Sequence, residues 1–267
     1  MTRRDFISTA AMATAGTMIA SPTRSNVGGL HSQYVESTPE GPYTAQDYVQ
    51  DGLVSMWDGI ENAGWGVHED NPAKWIDLVG NDSLVPYGSS SSLFYETWFG
   101  DDALQGKPYW NTPKSAELYS ALVGSSRTAE IVITKTADGT IYGNVSLISG
   151  NWFSFAGYVG NQFLCRYENT NIWIASPSAA PYIWSITMSA DNGVCDVYIN
   201  GQFLRTVTSG GMTPSGNGNM FIGQNLQSVN GSSTFAQTIH SVRVYNRALS
   251  EAEVKSNFKV DKVRFMR

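Results

Sequence analysis

With 267 residues, 15% of them charged, a formal net charge of −6 and a pI near 5.0, the chain has the length of one large β-rich domain with a leader ahead of it. An acidic balance with no stripe of Lys and Arg excludes nucleic acid as a partner, because phosphates need clustered cations. Charged residues stand well below the roughly 25% of an average soluble domain, so Gly, Ser, Thr and Asn carry much of the surface.

Thr2-Arg3-Arg4-Asp5-Phe6-Ile7 and the Ala/Thr/Gly-rich stretch to Ala20 read as the charged and weakly apolar parts of a twin-arginine-type export signal over residues 1–24. The apolar part is shorter than the about 20 residues of a membrane span. The expectation is therefore an exported chain, periplasmic, cell-surface or extracellular, without a membrane span. Residues 25–50, with Gly28-Gly29, Pro39 and Gly41-Pro42 and no apolar period, read as a linker or arm. Residues 51–267 read as the folded domain.

Within that domain, short segments rich in Val, Ile, Thr, Tyr, Phe and Trp are punctuated by turn residues, as in a sandwich. Residues 129–135 alternate and stop at Asp138-Gly139, a turn dipeptide leading into a strand over 141–148. In 182–190, Trp184, Ile186 and Met188 share one face and Ser185, Thr187 and Ser189 the other, the half-buried pattern of an antiparallel sheet. Asp191-Asn192-Gly193 turns the chain into a strand over 194–199. Asn200-Gly201 then makes a hairpin turn, since both residues tolerate the positive φ of type I′. Ile239 and the pair Val242/Val244 have opposite parity, so a β-bulge at His240-Ser241 is needed if all three are core. Ser250 caps a short helix, Glu253 completes the capping box, and Leu249 staples onto Val254. Residues 260–265 read as a final edge or closing strand, which brings the amino- and carboxy-terminal strands near each other.

Four passages, in order, resemble the concanavalin A-like lectin/glucanase superfamily in its laminin-G-like jelly-roll branch. They are Gly52-Leu53-Val54-Ser55-Met56-Trp57-Asp58-Gly59 with Trp75-Ile76-Asp77-Leu78-Val79-Gly80-Asn81, Asp196-Val197-Tyr198-Ile199-Asn200-Gly201, Met220-Phe221-Ile222-Gly223, and the closing run from Phe235 through Val242-Arg243-Val244-Tyr245-Asn246-Arg247-Ala248-Leu249-Ser250 to Glu253. The resemblance spans about residues 51–266. It implies an all-β fold, a two-sheet antiparallel jelly-roll sandwich with one short carboxy-terminal helix, but no single activity, because such folds host many.

The glucanases of this superfamily cut glycosidic bonds with acids in a Glu-x-Asp-x-x-Glu run, whose spacing points carboxylates into one cleft. No glutamate here has an aspartate two positions later, which argues against glucanase chemistry and leaves no catalytic residue to name. The adjacent acids Glu69-Asp70 and Asp101-Asp102 read as loop charges, His31, His68 and His240 have no ligand spacing, and no serine sits in a Gly-x-Ser-x-Gly elbow. Cys165 and Cys195 fit no metal or redox spacing. They form a disulfide if their strands adjoin and two buried thiols otherwise.

No cofactor is expected apart from calcium, which many relatives in that branch bind. Asp58, Glu61, Asn62 and Asp70 cluster in the first long loop with the hard oxygens Ca²⁺ prefers, although Ile239-His240 stands where the branch often reads Ile-Asp. Aromatics are the remaining signal, because sugar rings stack apolar C–H faces on exposed indoles and phenols. Loop-rich stretches nominate Trp65, Trp98, Tyr109, Trp110, Tyr167, Asn171 and Trp173 as ligand-binding residues, against the alternative that such aromatics fill the space between sheets. Trp57, Trp75 and Trp184 are assigned to the core. The reading that results is a non-catalytic, exported module binding glycan or another cell-surface ligand. The alternatives are a structural or adhesive subunit of a surface appendage or virus-like particle, with a homo-oligomer as its partner state, and a divergent glycoside hydrolase or lyase.

Overall fold

A computed structural model describes residues 43–69, 72–87, 109–112, 114–135, 144–146, 153–159, 162–168, 170–175, 182–208, 220–223 and 237–266, all within the compact unit Glu40–Arg267. In chain order the elements are β1 (Leu53–Asp58), β2 (Val85–Tyr87), β3 (Tyr109–Thr112), α1 (Ala116–Val123), β4 (Ser126–Lys135), β5 (Asn144–Ser146), β6 (Phe153–Val159) and β7 (Gln162–Tyr167). They continue with β8 (Thr170–Ala175), β9 (Tyr182–Asp191), β10 (Val194–Ile199), β11 (Gln202–Thr208), β12 (Met220–Gly223), β13 (Gln237–Tyr245) and α2 (Glu251–Phe265). A six-stranded sheet runs β1-β13-β4-β9-β10-β11 and a seven-stranded sheet β2-β3-β12-β5-β6-β7-β8. Neighbouring strands pair antiparallel throughout, so the fold is the expected all-β jelly-roll sandwich.

The main core lies between the sheets. Ile131, Ile133, Trp184, Ile186, Met188, Val242 and Val244 face Phe155, Phe163, Cys165, Ile172 and Met220, with Trp57 and Trp75 fully buried among them. The parity conflict in β13 is absorbed where it was expected, by a register shift between Ile239 and Ser241. Asn200 and Gly201, at φ 51° and 70°, make the β10–β11 hairpin. A Cβ on Gly201 would lie 2.9 Å from Phe258 of α2, so the turn also needs glycine for space. Cys165 and Cys195 are free, buried thiols, both pushed up by burial.

Four readings are corrected. A second helix, α1, is capped by Ser115 and buries Leu118, Ala121 and Leu122 at helical spacing. Residues 260–265 are not a strand but the second half of α2. The helix buries Val254, Asn257, Val260, Asp261, Arg264 and Phe265, a 3.6-residue period hidden from an apolar pattern because half of its buried stripe is polar. Ser185, Thr187 and Ser189 are buried as well, at 2–6% exposure, because α2 and the run before it cover that side of the six-stranded sheet. The end of the supposed linker is packed too: Ala45 and Tyr48 are buried, Thr44 caps a 3₁₀ turn over Ala45–Asp47, and Val49 N–H donates to Asn257 Oδ1 at 2.8 Å. The Asp138-Gly139 turn, most of 141–148 outside β5, and the leader lie outside the described residues.

Candidate functional site

Three places gather chemistry-bearing side chains, and their partners decide what each can do. The first lies between the six-stranded sheet and α2. Arg243 of β13 donates through Nε to Glu130 Oε2 at 2.8 Å, and grips Asp261 of α2 with Nη1 and Nη2 at 2.9 and 3.0 Å. Asn257 Nδ2 and the Thr187 hydroxyl donate to Glu130, both within 2.9 Å, while Ser185 and Tyr48 hydroxyls donate to Asp261 at 2.7 and 2.8 Å. The guanidinium also lies 3.9 Å from the Tyr48 ring centre. Burial works to lower Arg243, but Asp261 and Glu130 outweigh it and raise the group well above its ordinary value, while burial raises Glu130. Two carboxylates do come together here, from β4 and α2, but both are almost completely buried with an arginine between them. Such a pair cannot protonate a glycosidic oxygen or attack an anomeric carbon, since no water or substrate reaches it.

The second place is the nominated calcium loop. Arg264 of α2 donates to Asp58 Oδ1 at 2.7 Å and to Glu61 Oε1 at 3.0 Å. Glu61 also accepts the backbone N–H of Ala45 and of Gly66, each at 2.8 Å. Burial works to raise Glu61, and those backbone donors with Arg264 overcome it, so its carboxyl is held below the ordinary range. Asp58 goes the other way, raised by complete burial in spite of Arg264. Asn62 spends its side chain on the backbone of Glu69, and Asp70 lies outside the described residues. The nominated Asp58 and Glu61 are thus both engaged by the Arg264 guanidinium. Among the described residues no three His, Cys, Asp or Glu side chains form a metal-binding group. His240, at the Ile-Asp position of the branch, packs its ring 5.3 Å from that of Phe265.

The third place is the outward side of the seven-stranded sheet at its β8 margin. Along β8, Ile172 and Ile174 turn into the core while Asn171, Trp173 and Ala175 are exposed, Trp173 to 38%. Along β7, Phe163, Cys165 and Tyr167 are buried and Gln162, Leu164 and Arg166 take the outward parity. Register sets Arg166 opposite Asn171 and Leu164 opposite Trp173. An exposed indole, an amide, an aliphatic side chain and a guanidinium therefore share one small surface. Arg205 of β11 donates to the Trp173 carbonyl at 2.5 Å, joining the margins of the two sheets beside it.

This geometry sorts the nominated aromatics. Trp173 and Asn171 come together as expected. Tyr167 does not belong with them: it is fully buried on the inward parity, its ring 5.2 Å from the Arg127 guanidinium, and burial pushes its hydroxyl up to about 12. Trp65 is exposed, but it follows β1, the opposite margin of the six-stranded sheet from β11 and Trp173. In β3, Trp110 pairs with Ile222 and Asn111 with Phe221 of β12, and the side chains of Tyr109 and Trp110 lie outside those described. Trp98 lies outside the described residues. Arg166 and Leu164 were missed, although the alternation of Gln162-Phe163-Leu164-Cys165-Arg166-Tyr167 was there to nominate them.

Comparison with known proteins follows this geometry. A family model described as the concanavalin A-like lectin/glucanases superfamily matches residues 110–255. No curated protein sequence matches. Among solved structures, a Trypanosoma rangeli sialidase in complex with sialic acid matches with a TM-score of 0.53 and 16% identity, covering 80% of this chain and 33% of that one. A mutant of that sialidase displaying trans-sialidase activity matches at 0.55 and 17%, covering 79% and 33%. Botulinum neurotoxin type C, whose cell entry is given as dependent upon interaction with two ganglioside molecules, matches at 0.55 and 12%, covering 78% and 51%. The chain thus spans about a third of the sialidases and about half of the toxin chain, and at these identities the likeness is one of fold. No helix among the described residues is long and apolar enough to cross a membrane.

Proposed function

The chain belongs to the concanavalin A-like lectin/glucanase superfamily, and from that premise we propose that it is a non-catalytic, exported module that binds glycan on the outward face of β7 and β8. One observation carries the reading: Trp173 stands exposed beside Asn171 and Leu164 on a sheet margin, where an indole face can stack on a sugar ring while the amide bonds a hydroxyl. The neighbours that carry sialic acid or depend on ganglioside are compatible with it. The reading also accords with the two clusters under α2, where the buried acids Glu130, Asp261, Asp58 and Glu61 are engaged by Arg243 and Arg264.

On a glycan array, the protein is expected to give a signal that Trp173→Ala lowers by about tenfold, the equivalent of ~1.4 kcal/mol, with an unchanged thermal melt. Trp65→Ala should leave the signal intact. Equal signals from the parent and Trp173→Ala would end this assignment, and release of reducing sugar would replace it with hydrolysis. A second reading, an assembly subunit, draws on β11, a margin strand exposed along nearly its whole length with Phe203 and Leu204 open to solvent. It predicts a defined oligomer on sedimentation that Phe203→Lys dissociates.

A further inference from the structure

Resting on the glycan reading, we propose that this face is selective for sugars that carry an oxyanion, a carboxylate or a sulfate, and that Arg166 is the residue that receives it. Among the residues of the seven described strands of that sheet, Arg166 carries the only formal charge, in a chain whose net charge is −6. Its isolation differs from the treatment of the other described arginines. Arg127 is paired with Glu168, Arg243 with Glu130 and Asp261, Arg247 with Glu253 and Asp51, and Arg264 with Asp58 and Glu61. Arg205 bonds a carbonyl. Arg166 has no acidic partner among the described residues, and its Nε is buried with no hydrogen-bond partner there.

That Nε has lost water without gaining an acceptor among the described residues, which is unfavourable. The guanidinium's fork geometry fits a two-oxygen anion, and charge-assisted bonds of that kind are about twice as strong as neutral ones. The surroundings set the rest of the specificity. Asn171 stands directly across from Arg166, and Trp173 lies on the diagonal. Diagonal neighbours on a sheet face are about 7–8 Å apart, so one ring stacked on the indole can carry its charged substituent to the guanidinium. No acid in the seven strands repels the approach.

The test is calorimetric titration of the full chain with four short probes: sialyllactose, a hyaluronan oligosaccharide, a chondroitin sulfate oligosaccharide and a neutral cello-oligosaccharide. At least one acidic probe is expected to bind about tenfold more tightly than the neutral one, with a preference that shrinks as salt rises. The sialyl and uronate arms against the sulfate arm identify the anion. Arg166→Gln should remove the preference while weak binding through Trp173 persists, and Arg166→Lys should keep part of it. If Arg166→Gln fails to fold, the salt dependence of the parent protein decides. A neutral probe bound as well as the acidic ones, or a preference intact in Arg166→Gln, overturns the inference and leaves the glycan reading standing. Binding of none of the four, with Trp173→Ala equally silent, defeats both.

Discussion

Arg243→Met is expected to destabilise the protein by about 3–5 kcal/mol, the usual effect of removing one partner from a buried ion pair, and to lower its Tm by roughly 10 °C or more. The reason lies in what stays behind. Glu130 and Asp261 face each other across the vacated guanidinium, and neither can reach solvent. Thermal and urea unfolding of parent and variant measure the loss. Neutralising the two acids in the same background, Glu130→Gln with Asp261→Asn, should recover a large part of it, since both amides retain acceptors for Thr187, Ser185 and Tyr48. A single variant as stable as the parent would mean that the network contributes little to holding α2.

Arg264→Met should be nearly as disruptive at neutral pH, at about 3 kcal/mol, and its deficit should depend on pH. Asp58, already raised by burial above its ordinary 3.8, loses its opposing charge and rises further. A carboxyl raised in the folded state binds its proton more readily there than in the unfolded chain, so the variant regains stability as pH falls through that raised value. Glu61 adds to the same trend. Its lowered carboxyl stabilises the parent fully above its ordinary 4.5, and that contribution fades as pH falls through the folded value. The gap between parent and variant in urea should therefore be wide at about pH 7 and narrow toward about pH 4. A constant gap would show that Arg264 acts through packing alone. The variant should also loosen residues 43–50, because Arg264 donates to the Tyr43 carbonyl and Glu61 holds the Ala45 N–H. Faster proteolysis there would register this.

These two arginines also mark the line between what was legible in the chain and what was not. The strand over 182–190, the glycine turns at 193 and 201, the bulge between Ile239 and Ser241 and the capping box of Ser250 with Glu253 are local, and each appears where local chemistry places it. The family followed from the order of such motifs. Of the candidate site, Asn171 and Trp173 were legible because an exposed aromatic beside an amide is visible in a short window. Arg166 was not, since its significance is the lack of an acid on six neighbouring strands, and no window spans those.

What the amino-acid order determined by itself was the strand periods, the turns, the helix start and the family, all governed by interactions within a few residues. What only the tertiary structure decided was the fate of the charges. Asn257, Asp261 and Arg264 are polar side chains that β13, β4 and residues 43–50 bury and pair. Asp58 and Glu61 lie close together in the sequence, but their partner Arg264 is some two hundred positions away. Periodicity reports burial only where burial is apolar; a buried charge is stabilised by a partner distant in the chain, and the partner is known only once the chain has folded.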